Sequence, residues 1–189
     1  SDDLSRIGGQ PIKLLTEFGY QGRVYPVNPK YKNIKGLICY PDATAVPKPC
    51  DLAVIALSAA RVPEAVEQCG AAGIPYAIVL SSGFGETGDD GKKLQESLRA
   101  AAQASHVRII GPNCLGILNL KDNVRSAFAG TAQMRTLIPG PFDDIGGGHG
   151  VQAGGVFFRA KDARSSFPAT SERTMFCCAS MLVLASMSR

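Results

Sequence analysis

Three short apolar runs alternate with helical patterns along this chain, and that alternation constrains its fold most. Asp51-Leu52-Ala53-Val54-Ile55-Ala56-Leu57 is the first run, Tyr76-Ala77-Ile78-Val79-Leu80 the second and Val107-Arg108-Ile109-Ile110 the third. Continuous apolar runs suit strands covered on both faces, as in parallel sheets. Between the first two lies a helical stripe of Val62, Val66 and Cys69, with Pro63 near its first turn. Before the third, Asp89 and Asp90 suit a helix start, where carboxylates oppose the positive end of the helix dipole. Leu94, Leu98, Ala101 and Ala102 form the buried stripe of that helix. Upstream, Ile12, Leu15 and Phe18 have helical spacing, Gly19 stops the helix, and Arg23-Val24-Tyr25-Pro26-Val27 reads as a strand. The order predicts βαβ units, hence an α/β chain with a mostly parallel sheet and helices on both faces.

The polar, Gly-rich and Pro-rich loops all fall at the carboxyl ends of these strands, at residues 28–31, 57–61, 81–88 and 111–116. In an open α/β sheet such loops gather along one edge and line one cleft. The last of them, Gly111-Pro112-Asn113-Cys114-Leu115-Gly116, combines permissive glycines, a stiffening proline, an amide and a thiol. It has the make-up of a ligand loop.

Composition narrows the function classes. The chain has 189 residues, 45% hydrophobic and 19% charged, which suits one packed domain or one domain and part of another. Net charge is only +4, there is no Trp, and no basic cluster is interleaved with aromatics, so nucleic acid is not an expected partner. No apolar run reaches the roughly 20 residues needed to cross a bilayer, and no membrane partner is expected. No signal-peptide pattern is read at the start. None of the six cysteines forms a CxxC pair, and His106 and His149 are not spaced with them as ligands, so no metal site is expected. Reduced thiols in a cytoplasmic protein fit this usage.

Four segments together resemble a known family. They are Tyr25-Pro26-Val27-Asn28-Pro29-Lys30-Tyr31, Asp51-Leu52-Ala53-Val54-Ile55-Ala56, Val79-Leu80-Ser81-Ser82-Gly83-Phe84-Gly85-Glu86-Thr87-Gly88, and the loop 111–116. In order, through about Gly140, the chain resembles the coenzyme A (CoA) binding domain of NDP-forming acyl-CoA synthetases, relatives of the succinyl-CoA ligase alpha subunit. The resemblance implies a Rossmann-like, doubly wound parallel sheet that binds CoA. In the complete family a second domain carries a transiently phosphorylated histidine, and an ATP-grasp module binds the nucleotide. The implied reaction joins an acid to CoA as ATP or GTP is cleaved to the diphosphate; ATP and Mg are expected only in the complete enzyme.

By the same resemblance, residues 1–8 match the latter part of the family's first phosphate loop, which makes Ser1, Arg6 and Gly8 candidate CoA contacts. Asn28 and Pro29 open the loop where the family places a basic contact; Lys30, Tyr31 and Lys32 all remain open as its counterpart. Ser81, Ser82 and Gly83 match the loop on the pantetheine side, and Asn113 and Cys114 the loop near the thiol end. Backbone N–H groups at helix N-termini suit the phosphates of such a ligand.

Two departures qualify the match. The family's first strand and the opening glycine of its phosphate loop would precede Ser1. That strand is central, so the strands near Arg23 and Asp51 are expected to lack a partner, in a marginally stable chain or a fragment. After Pro139-Gly140-Pro141 the likeness fades, although Gly154-Gly155-Val156 resembles an expected Gly-Gly-Val. The expected division is a CoA-binding domain over 1–140, followed over 141–189 by the start of a second ligase domain or an aberrant tail, from a shifted reading frame or fragment end.

No catalytic residue is expected in this chain. His149 lies in a Gly-rich loop, but the family's histidine comes far later, and His106 reads as a surface residue. Cys114 reads as a small packing residue beside the CoA thiol rather than a nucleophile. Glu86 reads either as an acid–base group or as a solvated loop or helix-start carboxylate. Three functions are weighed: the CoA-binding part of an acid–CoA ligase that works with an ATP-grasp partner, a freestanding CoA- or nucleotide-binding regulator, and an NAD(P)-binding domain. The last needs an acidic residue after the second strand, where Val27-Asn28-Pro29-Lys30 has none.

Overall fold

In the computed structural model, the described residues are 3–119, 122–128 and 133, together with the backbone of 175–178 and 181–185. Ser1, His149, the Gly-Gly-Val at 154–156 and the proposed boundary at 140 lie outside them.

The expected elements form in the expected order. Helix α1 spans Gln10–Glu17, with Pro11 in its first turn and Ile12, Leu14 and Leu15 buried. Gly19, at φ +74°, turns the chain out of it. Strand β1 (Arg23–Val27) follows, then a short hairpin of β2 (Asn33–Ile34) and β3 (Leu37–Ile38) that the sequence reading did not foresee. Strand β4 is Leu52–Ile55, helix α2 Val62–Ala71, strand β5 Tyr76–Val79, helix α3 Asp89–Ala104 and strand β6 Arg108–Ile110. A second unforeseen hairpin, β7 (Gly116–Asn119) and β8 (Val124–Ala127), packs against α1.

Strands β4, β5 and β6 are parallel, with Leu52 opposite Tyr76 and Tyr76 opposite Arg108. All four residues of β4 are buried, as are Ala77, Ile78 and Val79 of β5, which is why both read as uninterrupted apolar runs. Helices α2 and α3 lie side by side over the sheet. Val62, Ala65, Val66 and Cys69 of α2 and Leu98 of α3 enter the same core as β4 and β5. Leu94, expected on the buried stripe, is only partly covered. The result is the Rossmann-like α/β arrangement that the sequence implies.

One feature of the sheet was not expected. Two further strands, β9 (Met175–Cys178) and β10 (Met181–Ala185), lie between β1 and β4, in the order β1-β10-β9-β4-β5-β6. β9 runs parallel to both β1 and β4, whereas β10 runs antiparallel to β1 across five residue pairs. The edges of β1 and β4, expected to lack partners, are therefore paired. This corrects the edge expectation: backbone groups that would cost free energy if buried unpaired are satisfied by the C-terminal hairpin.

Candidate functional site

The parallel course of β1, β4, β5 and β6 sends all their carboxyl ends to one edge of the sheet. The loops at 28–31, 57–61, 81–88 and 111–116 share that edge. α1 leads into β1, so the turn before it, with Arg6 and Gly8, lies at the end of α1 away from Arg23.

Two of the expected loops are in direct contact. The Asn113 N–H donates to the Ser81 carbonyl at 2.9 Å, tying the loop after β6 to the loop after β5. Asn113 sits at φ +55°, a left-handed conformation that Asn tolerates better than most residues. Gly111, at φ +103°, has its α-carbon so close to β5 that an added Cβ would stand 2.5 Å from the Val79 carbonyl oxygen. Ser81 is 9% exposed, and its Oγ is a buried hydroxyl without a hydrogen-bond partner among the described residues. Such a group is costly unless something satisfies it. Ser82 is exposed beside it. The loop at 57–61 joins them, since a Cβ on Gly83 would stand 3.1 Å from the Ala59 Cβ.

Cys114 is buried, and its Sγ faces the carbonyls of Val79 at 3.4 Å and Ile110 at 3.7 Å. Burial pushes its thiol up from the ordinary value, which favours the protonated form. The packing role expected of it fits this geometry.

Glu86 turns out to build the loop. Its carboxylate accepts the Gly83 N–H at 2.6 Å and the Phe84 N–H at 3.2 Å. The Gly83 hydrogen bond is the main reason its carboxyl lies below the ordinary range. A group held ionised this way is a poor general acid or base at neutral pH. The sequence signal was available in the spacing: a carboxylate three residues after a glycine in a tight loop can reach back to cap backbone donors, as side chains do at helix starts.

At β1, Asn28 is 8% exposed, and its side-chain oxygen accepts the Lys30 N–H at 2.9 Å. Its own N–H donates to the Tyr40 carbonyl at 2.7 Å. Asn28 thus shapes the turn, Pro29, Lys30 and Lys32 are exposed on it, and Tyr31 is half-buried. Before α1, the Arg6 carbonyl accepts the N–H groups of Gly9 and Gln10, and the exposed Arg6 guanidinium pairs with Asp3 at 3.1 Å. A cavity of about 190 Å³ opens beside this turn, lined by Leu4, Ser5, Gln10, Lys13, Leu14 and Gln133. Among the described residues, no group of three His, Cys, Asp or Glu side chains is placed to hold a metal ion, and no helix is long and apolar enough to cross a membrane.

The profile of the family described as CoA binding domain matches residues 1–119. The chain belongs to that family. Among curated proteins, this chain is 41% identical over 127 residues to "Acetate--CoA ligase [ADP-forming] I" of Archaeoglobus fulgidus, covering 67% of this chain and 18% of that protein. It is 36% identical over 140 residues to "Acetate--CoA ligase [ADP-forming] I subunit alpha" of Pyrococcus furiosus, covering 72% of this chain and 29% of that subunit. Among solved structures, the apo form of dinucleotide-forming acetyl-coenzyme A synthetase 1 of Ca. Korarchaeum cryptofilum aligns with a TM-score of 0.65 at 38% identity, over 68% of this chain and 28% of that one. The chain thus spans less than a third of the length of these relatives. Its homologues are NDP-forming acyl-CoA synthetases, as the four sequence segments implied.

Proposed function

We propose that this chain supplies the CoA-binding part of an NDP-forming acid–CoA ligase, with CoA seated along the carboxyl edge of the sheet. The observation that carries the reading is the junction of Ser81 and Asn113, where two loops meet and a buried hydroxyl still needs a partner. Arg6, Gly8, Asn28, Pro29, Lys30 and Tyr31 would line the phosphate-bearing side, and Ser81, Ser82, Gly83, Asn113 and Cys114 the side of the uncharged arm and thiol. Ser1 belongs to the same proposal through the family match alone. Arg6 and Lys30 are cations on exposed turns, which suits an anionic ligand.

The rest of the reaction would need an ATP-grasp domain or subunit, which would bring ATP and Mg, and a domain with the phosphorylated histidine. The relative named as an alpha subunit supports such a division of labour. Within the cell, a cytoplasmic location suits this role, and among the described residues the cysteines form no disulfide. The chain alone is expected to bind CoA without forming a thioester. A coupled assay with ATP, Mg, acetate and CoA tests this: no turnover with the purified chain is the expected result, and ATP-dependent thioester formation by it would contradict the proposal.

A further inference from the structure

The loop after β5 contains its own anion. Gly83, at φ +102°, and Phe84 aim successive N–H groups at the Glu86 carboxylate. Adjacent backbone N–H groups in this arrangement form a small concavity selective for negative charge. Their bonds to an ionised acceptor are the short, strong kind. The far half of the loop is fixed by other means. The Phe84 ring is fully buried, the Thr87 hydroxyl donates to the Phe84 carbonyl at 2.8 Å, and the Gln95 side-chain oxygen accepts the Gly85 N–H at 3.0 Å. Gly91 at the start of α3 sits so close that a Cβ there would stand 1.8 Å from the Phe84 carbonyl oxygen. The near half is held at Ser81 by the Asn113 N–H and at Gly83 by Glu86.

We propose that Glu86 is a positioning residue for ligand binding: by occupying the Gly83 and Phe84 N–H groups, its carboxylate sets the Ser82–Gly83 backbone and closes that pair of donors to outside anions. The proposal rests on the CoA reading for its ligand. It gives this loop a different task from an open phosphate loop. Its N–H groups at Gly83 and Phe84 are spent internally, so the exposed Ser82 next to them is left to meet a ligand.

The test uses Glu86→Ala and Glu86→Gln in the full chain. Calorimetric titration with CoA is expected to show roughly tenfold weaker binding for Glu86→Ala, about 1.4 kcal/mol, and a smaller loss for Glu86→Gln, which keeps one acceptor. Formate should restore Glu86→Ala by refilling the vacant N–H pair, whereas chloride at equal ionic strength should not. A residue needed only for general stability would not be rescued this way. The Gly83 amide proton, followed by NMR, provides a readout that needs no CoA. It is expected downfield in the parent chain, upfield in Glu86→Ala, and downfield again with formate. An unmoved Gly83 resonance, parent-like CoA affinity in Glu86→Ala, or a loss that formate does not restore would each overturn the positioning role. Failure of the parent chain to bind CoA would overturn the functional reading instead, and the Gly83 response would still decide whether Glu86 holds the loop.

Discussion

Asn113 donates its backbone N–H to the Ser81 carbonyl at 2.9 Å, so the loop after β6 holds the loop after β5 in place. The bond requires Asn113 to stay at φ +55°. A backbone role and a side-chain role can be separated there. Asn113→Gly keeps the N–H and relieves the left-handed conformation, so its thermal midpoint should equal or exceed that of the parent. Asn113→Ala should lose about 1 kcal/mol. If the Asn113 amide touches CoA, as proposed, both variants should bind CoA several-fold more weakly. Calorimetry and thermal unfolding on the two variants provide the check.

Cys114 is expected to be dispensable as a nucleophile. Cys114→Ser places a hydroxyl where the carbonyls of Val79 and Ile110 can accept its proton, so the variant should fold and hold CoA within about twofold of the parent. Iodoacetamide should label Cys114 of the native chain far more slowly than that of the unfolded chain, because burial keeps the thiol protonated. Mass spectrometry of the labelled peptides would report both rates.

Cys50 predicts a loss of stability at alkaline pH. Its Sγ donates to the Pro47 carbonyl at 2.8 Å, and burial, assisted by the Asp51 charge, pushes its thiol from 9.0 up to about 12. In the folded chain the thiol keeps its proton where the unfolded chain has lost it. Stability contributed by the neutral thiol is therefore complete below pH 9 and declines as pH rises from 9 towards 12. Urea midpoints of the parent should fall more steeply above pH 9 than those of Cys50→Ala.

The C-terminal hairpin predicts a distant effect on the sheet. Val183 lies opposite Tyr25 in the β10–β1 ladder. Val183→Pro fixes φ and removes a backbone donor inside a central strand, where proline is poorly tolerated. Its thermal midpoint should fall by several degrees, and hydrogen exchange should accelerate in β1.

Much of the scaffold could be read from the sequence because burial on both faces leaves a strong mark. Leu52 to Ile55 and Ala77 to Val79 are apolar at every position for that reason. The hairpins β2–β3 and β7–β8 left little trace. Their strands run two to four residues, and Arg125 and Ser126 are buried polar residues in β8, so no apolar period forms. β9 and β10 were hidden differently, since their partners lie about 120 to 160 residues away in sequence and pairing over that span has no local signature. At the site, the loops and their common edge followed from strand order. The part Glu86 plays was marked only by its spacing from Gly83, because the contact itself depends on the left-handed turn at Gly83, which brings two N–H groups round to face one carboxylate.

The central claim, that the carboxyl edge of this sheet is a CoA site, is tested most directly by isothermal titration of the chain with CoA, desulfo-CoA and NAD. Binding of CoA and desulfo-CoA with similar affinity, and none of NAD, is the predicted result. Binding of NAD without CoA would contradict it.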